Sequence, residues 1–154
     1  MTSQELREEI DIQLELMAAT VGEVVGLCRD VEGREPTVRE KTAAAAFVAQ
    51  FYGGIENILK RIHCYHGVAL PAGEAWHIET FQRFCQPGYG PLPILFDDQL
   101  MTTLAPYRKF RHVVYHSYGV ELDWERMSEG LRRIEVAMDC FRSAVAKYLA
   151  SLAH

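Results

Sequence analysis

Nothing in this sequence is apolar for long enough to cross a bilayer. Its longest uninterrupted apolar run, Ala43 to Ala49, falls far short of the roughly 20 residues a membrane helix needs. The basic and then greasy opening of a secretion signal is also missing, because Met1-Thr2-Ser3-Gln4-Glu5-Leu6-Arg7-Glu8-Glu9 is acidic. Cys28, Cys64, Cys85 and Cys140 form no C-x-x-C pair, which argues against a cysteine zinc site and for reduced, mostly buried thiols in a cytoplasmic protein. No segment sustains the period-two alternation of a strand, so no sheet is expected. There is no internal repeat, and the only biased stretch, Ala43 to Ala46, is good helix.

What remains fits one globular domain over residues 1–154: 49% of residues are hydrophobic and 24% charged, a balance that excludes disorder. The net charge of −5 speaks against a nucleic-acid partner only until its distribution is read. Residues 1–35 hold nine acids and three bases, whereas the rest of the chain is very slightly basic. Between Leu104 and Tyr118 lie Arg108, Lys109 and Arg111 and no acid at all. Local charge sets local affinity, so the whole-chain figure decides little.

Apolar spacing is the clearest signal. Leu6, Ile10, Leu14, Met17, Val21, Val24, Cys28 and Val31 recur at steps of three and four, behind a Thr2-x-x-Glu5 capping box. Gly33 and Pro36 end that helix. Thr37-x-x-Glu40 opens a second, with the stripe Ala44, Phe47, Phe51, Ile55, Ile58, Ile62 and Tyr65. Gly53-Gly54 inside it predicts close approach by a neighbouring helix, or a kink. A short helix is expected from about Glu74 to Cys85, and another behind a cap at Asp97 or Asp98. Pro106 should kink or split the latter, and Gly119 should mark its far end. The last helix starts near Asp123 and packs through Met127, Leu131, Ile134, Met138, Phe141, Val145, Tyr148 and Leu152. Trp76 and Trp124 open helices and should pack inward. The fold class is all-α: an antiparallel bundle of four to five helices with no sheet.

The run from Tyr107 to Gly119 is the unusual part. At roughly 100° per residue, Tyr118, Arg111, Tyr115, Arg108, His112, His116 and Lys109 fall on one half of a helix, and Val113, Ser117, Phe110 and Val114 on the other. A face of cations, imidazoles and phenols suits phosphodiester cleavage. Histidine moves protons near neutral pH, and arginine presents a planar fork to phosphate oxygens. RNA supplies its own nucleophile in the 2′-hydroxyl, so neither a metal nor a covalent intermediate is required. Arg111 and His116 stand about 140° apart on an ideal helix. They converge only if the helix unwinds near Gly119 or if a second copy completes the cleft.

Arg111-x4-His116-x-Tyr118 resembles the R-x4-6-H signature of HEPN domains, in the R-x4-H-x-Y form of HepT toxins from HepT–MntA toxin–antitoxin pairs. The layout agrees over nearly the whole chain, with the motif on the penultimate helix before a long last one. The resemblance implies a HEPN-like bundle and a metal-independent RNase that works as a homodimer, with Arg111 and His116 of both copies in the cleft. Arg108, Lys109 and His112 would support RNA binding, tRNA being the first guess. It further implies a MntA-like nucleotidyltransferase antitoxin that adds AMP to Tyr118. The position after the arginine, often Asn or Asp in HEPN proteins, is His112 here.

Other groups carry less. His63, His66, His112 and His116 would hold a metal only if two helix ends met, and neither a metal nor a cofactor is expected. Glu56-Asn57 projects polar groups toward the same cleft or into ordinary inter-helix hydrogen bonds. Lys60-Arg61 and Arg132-Arg133 are expected on the surface, where they would widen an RNA footprint. Tyr89 is expected on the surface as well. The rival to the RNase is a non-catalytic helical partner that docks a nucleotidyltransferase or presents a substrate to it.

Overall fold

The computed structural model describes residues 1–152; Ala153 and His154, the end of the expected single domain, lie outside the described residues. Five α-helices follow in chain order: α1 (Ser3–Asp30), α2 (Val38–Tyr65), α3 (Trp76–Gln82), α4 (Asp98–His116) and α5 (Trp124–Ser151), with a 3-10 turn at Gly119–Glu121. The protein is 74% helical and, among the described residues, has no strand. One isolated bridge joins Cys85 to Phe96.

The helix starts follow local chemistry. Thr2 Oγ1 accepts from the Glu5 N–H at 3.1 Å while Glu5 Oε2 accepts from the Thr2 N–H at 2.7 Å. Thr37 and Glu40 repeat the arrangement at 3.2 and 2.9 Å. Each cap satisfies otherwise orphaned donors and is worth about 1 kcal/mol. The Arg34 guanidinium, hydrogen-bonded to Glu40, helps hold that carboxyl down to about 2. At α4 the cap is Asp97, which accepts from Leu100 N–H at 2.7 Å. Gly33 and Gly67 stand just beyond α1 and α2 with φ of 79° and 68°, the left-handed geometry that favours glycine after a helix.

Packing is up-down-up-down. Glu9 pairs with Arg61 (3.1 Å), Gln13 meets Asn57 (3.5 Å) and Met17 meets Gly54, so α1 and α2 run antiparallel. Arg7 near the start of α1 donates to Leu149 O at the end of α5, and the Tyr107 hydroxyl of α4 donates to Gly130 O of α5 at 2.8 Å. The predicted stripes are the core: Leu6, Ile10 and Val24 of α1, Phe51, Ile55, Ile58 and Ile62 of α2, Leu104 of α4, and Ile134, Phe141 and Val145 of α5 are all fully buried. Phe81 stacks on Phe96 with centroids 4.5 Å apart, and Phe84 and Phe141 meet the same ring. This aromatic cluster fastens the 67–97 segment to the core and sets α3 against α2.

Several expectations need correction. The short helix is tighter than expected, Trp76–Gln82 rather than Glu74 to Cys85. Pro106 does not split α4, which runs unbroken from Asp98 to His116. That helix also stops short of Gly119: Ser117 (φ −126°, ψ 145°) and Tyr118 (φ −76°, ψ 152°) are extended. Val113, assigned to the inner half, is 43% exposed. Cys64 and Cys140 are exposed, so only Cys85 is a fully buried thiol. Lys60 and Arg61 are half-buried rather than free on the surface, whereas Arg132 and Arg133 are exposed as expected. Trp76 and Trp124 do open helices, and both are half-buried.

The glycine pair separates into two roles. A Cβ on Gly54 would overlap the Met17 side chain, which is 2% exposed and cannot easily move, whereas a Cβ on Gly53 would meet nothing within 4 Å. Gly54→Ala should therefore destabilise by ~1–3 kcal/mol through overpacking. Gly53→Ala should stabilise by ~0.5–1 kcal/mol through better helix propensity. Urea denaturation of the two variants side by side checks both signs.

Candidate active site

The site is organised by Glu56, in the middle of α2 and only 3% exposed. A carboxylate taken out of water there needs charge and hydrogen bonds in place of hydration. Arg111 of α4 supplies one partner, with Nε 3.2 Å from Glu56 Oε1. His77 of α3 supplies the other, its Nδ1 bonded to Glu56 Oε2. Three helices thus meet on one side chain. The expectation of a cationic face with no neutralising acid was incomplete, because the acid comes from another helix. Of the two roles open to Glu56-Asn57, inter-helix contact is found at both: Glu56 pairs with Arg111 and His77, and the exposed Asn57 donates to Gln13 of α1.

Around this centre the groups are cationic and aromatic. The Arg111 guanidinium carbon lies 4.7 Å from the centre of the Tyr115 ring and 5.9 Å from that of Trp76, and Lys60 Nζ lies 4.6 Å from the Trp76 centre. These are cation–π distances, which orient a guanidinium without consuming its N–H groups. Among the described residues Arg111 Nη1 and Nη2 donate to no protein acceptor, so the planar end of the fork stays available to a phosphate. Tyr52, one turn before Glu56, is fully buried; burial and the Glu56 charge push its hydroxyl far up, so it stays neutral.

The predicted residues divide into three places. Arg108, expected on the open face, turns inward: its guanidinium carbon is 5.1 Å from the centre of the Phe81 ring, and its buried Nε has no hydrogen-bond partner among the described residues. Lys109 is exposed. His112 and His116 are exposed and face each other, ring centroids 4.3 Å apart, on the last turns of α4. Within one chain Arg111 is thus gathered with Glu56, Trp76 and Tyr115, and His116 with His112. Tyr118 leaves the helix altogether and is 78% exposed, so it does not share the helical arc of Arg111 on which it was placed. Its N–H donates to Glu121 Oε1 at 3.3 Å.

The four-histidine metal arrangement has no counterpart, since among the described residues no three His, Cys, Asp or Glu side chains gather as a metal-holding group. His63 is fully buried, with Nδ1 2.8 Å from Leu59 O and Nε2 3.3 Å from Arg83, and burial lowers its affinity for a proton. His66 Nε2 is 2.7 Å from the Tyr148 hydroxyl. Tyr89 is 46% exposed, with Arg83 over its ring. Reasoning from sequence missed His77 altogether and assigned Trp76 to packing alone. Their only local signal is the pair of ring-bearing residues opening a helix in a segment of weak periodicity.

Glu56→Gln removes the charge partner of Arg111 and weakens the acceptor for His77. It should cost ~1.5–3 kcal/mol, the range for hydrogen bonds to charged groups. The exposed neighbour Asn57→Ala should change stability by less than ~0.5 kcal/mol. Chemical denaturation of both variants measures the difference.

A family profile described as HepT-like protein matches residues 43–152, which take in Glu56, the whole of α3, Arg111, His116 and Tyr118. No curated protein and no solved structure matches the chain. The matched region covers well over half of the sequence and holds the arginine, histidine and tyrosine in their expected order, and on that ground the chain belongs to the HepT-like family.

Proposed function

We propose that this protein is the toxin of a type VII-like toxin–antitoxin pair: a metal-independent ribonuclease, acting on tRNA or another RNA in the cytoplasm and working as a homodimer. The observation that carries the reading is Arg111, paired through Nε with a buried carboxylate and with no protein acceptor on its other nitrogens among the described residues, on the same helix as an exposed histidine. Arginine neutralises charge that builds on the phosphate in the transition state, and histidine takes the 2′-hydroxyl proton as O2′ attacks phosphorus. The P–O5′ bond then breaks, leaving a 2′,3′-cyclic phosphate and a 5′-hydroxyl. Arg108, Lys109 and His112 are the supporting contacts of this reading, with Lys109 and His112 the better placed because they are exposed.

Two features support the dimer. Arg111 and His116 diverge around the helix, so a two-fold axis through 108–118 brings the arginine of one copy toward the histidine of the other. Beside them Ile12 (58%), Leu16 (59%), Val113 (43%) and Tyr115 (65%) expose apolar surface around a groove between α1, α2 and α4, lined by Leu16, Ala49, Gly53 and Val114 among others. A patch of that kind marks an interaction surface.

Neutralisation is assigned to Tyr118 and a MntA-like nucleotidyltransferase. The phenol oxygen attacks the α-phosphate of ATP and pyrophosphate leaves, so Tyr118 carries AMP. An extended, exposed tyrosine two residues past His116 is accessible to a partner enzyme, and a bulky anion there obstructs the histidine. Because Arg108 is turned inward, the blockade is chiefly steric at His116. The rival reading, a non-catalytic helical partner of the same transferase, has no use for an Arg111 whose terminal nitrogens lack a protein acceptor among the described residues.

His116→Ala should lower RNA cleavage by ~10²–10⁴-fold and Arg111→Ala by ~10²–10³-fold, with both variants relieving growth arrest and keeping their helical spectrum. Full activity in either variant contradicts the assignment. Sedimentation at micromolar concentration should give a dimer. Intact mass and peptide mapping after incubation with the transferase and ATP should place AMP on Tyr118, and Tyr118→Phe should remain active in its presence. Modification of Tyr115 or Tyr107 instead would overturn that site.

A further inference from the structure

Two functional side chains share one anchor. Glu56 forms an ion pair with Arg111 through Oε1 and accepts from His77 through Oε2, so the arginine and the imidazole meet on one carboxylate. An ionised carboxylate only accepts, so His77 Nδ1 is the donor, and a transferable proton on Nε2 belongs to the imidazolium form. Nε2 has no hydrogen-bond partner among the described residues, and the His77 side chain is 24% exposed. Its ring is held against Trp76, and the charged groups around it are Glu56 and Lys60 of α2, Arg111 of α4 and Glu79 on its own helix. Of the five described histidines, His63 and His66 are bonded into the protein, and His112 and His116 lie against each other on α4. His77 alone is tied to the carboxylate that positions Arg111.

We infer that His77 is a second proton-transfer residue of the site, protonating the leaving 5′-oxygen while His116 accepts the 2′-hydroxyl proton. The inference rests on the ribonuclease reading and adds a residue to it. In the step, O2′ forms a bond to phosphorus and loses its proton to His116 of the second copy in the proposed dimer. The P–O5′ pair moves to O5′, which takes the Nε2 proton of the His77 imidazolium and leaves the neutral ring still donating Nδ1–H to Glu56. Because Arg111 and His77 both contact Glu56, a phosphate seated on Arg111 is held at the same side-chain cluster as the His77 ring. The carboxylate holds the imidazole in orientation, as a buried acid does for the histidine of a serine hydrolase triad.

The test replaces O5′ by sulfur, since a thiolate leaves without being protonated. Cleavage of tRNA by the full-length protein first locates the cut linkage. RNA spanning it is then made with an ordinary bond and with a bridging 5′-phosphorothiolate. His77→Asn keeps a donor toward Glu56 but carries no transferable proton. It should be slower than wild type by ~10²-fold or more on the oxygen substrate and within about tenfold of wild type on the sulfur substrate. His116→Ala should be slow on both. An equal loss on the two substrates, or no loss, makes His77 a structural tether and overturns the inference. If wild type cuts no RNA, the ribonuclease reading itself fails and takes the inference with it. Circular dichroism and melting accompany each variant, and His77→Gln replaces His77→Asn if the latter does not fold.

Discussion

A carboxylate buried between helices is stable only while its countercharge stays in place, and Glu56 makes three helices answer to that condition. Arg111 reaches it from α4 and His77 from α3, while the carboxylate itself is fixed by the mid-point of α2, where Gly54 lets α1 press Met17 against the backbone. Removing α4 would leave the buried carboxylate without its arginine, and removing α3 would leave it without the hydrogen bond from His77. The same constraint that holds the helices in register also leaves Arg111 with one edge used and the other free. Structural and chemical roles here belong to opposite sides of one guanidinium.

The end of α4 is a second constraint. Gly119 is not in a left-handed conformation; it is small because Thr42 of α2 occupies the space a side chain would take. The chain can come that close to α2 only by leaving the helix earlier, and it does so at Ser117. Tyr118 is thereby carried into an extended, open position while His116 remains on the last helical turn. The proposed modification acceptor and the candidate catalytic histidine are separated by a change of backbone conformation rather than by distance along the chain.

The architecture was legible because it is written in local terms. Period and capping chemistry are read within a few residues, so the Leu6–Val31 and Phe51–Ile62 stripes and both Thr-x-x-Glu boxes fall where the helices begin and bury. The candidate site was legible only as far as α4 itself. A helical wheel places Arg111 and His116 correctly around one axis but has no access to a carboxylate arriving from α2, over fifty residues earlier, nor to His77 in the weakly patterned 67–93 segment. It also mistook Arg108 for a surface cation, because the aromatic ring it packs on belongs to α3. Gly119 misled for a related reason: glycine after a helix usually signals a turn, and here it signals a contact.

The central claim is that Arg111 and His116 cleave RNA through its own 2′-hydroxyl. It is tested most directly by an RNA carrying a single 2′-deoxy substitution at the cut linkage, incubated with the protein in EDTA beside its all-ribose counterpart. Cleavage of the all-ribose strand to a 2′,3′-cyclic phosphate and a 5′-hydroxyl is expected, with none at the deoxy linkage. Cleavage that persists at the deoxy linkage, or that appears only when a divalent metal is restored, would contradict it.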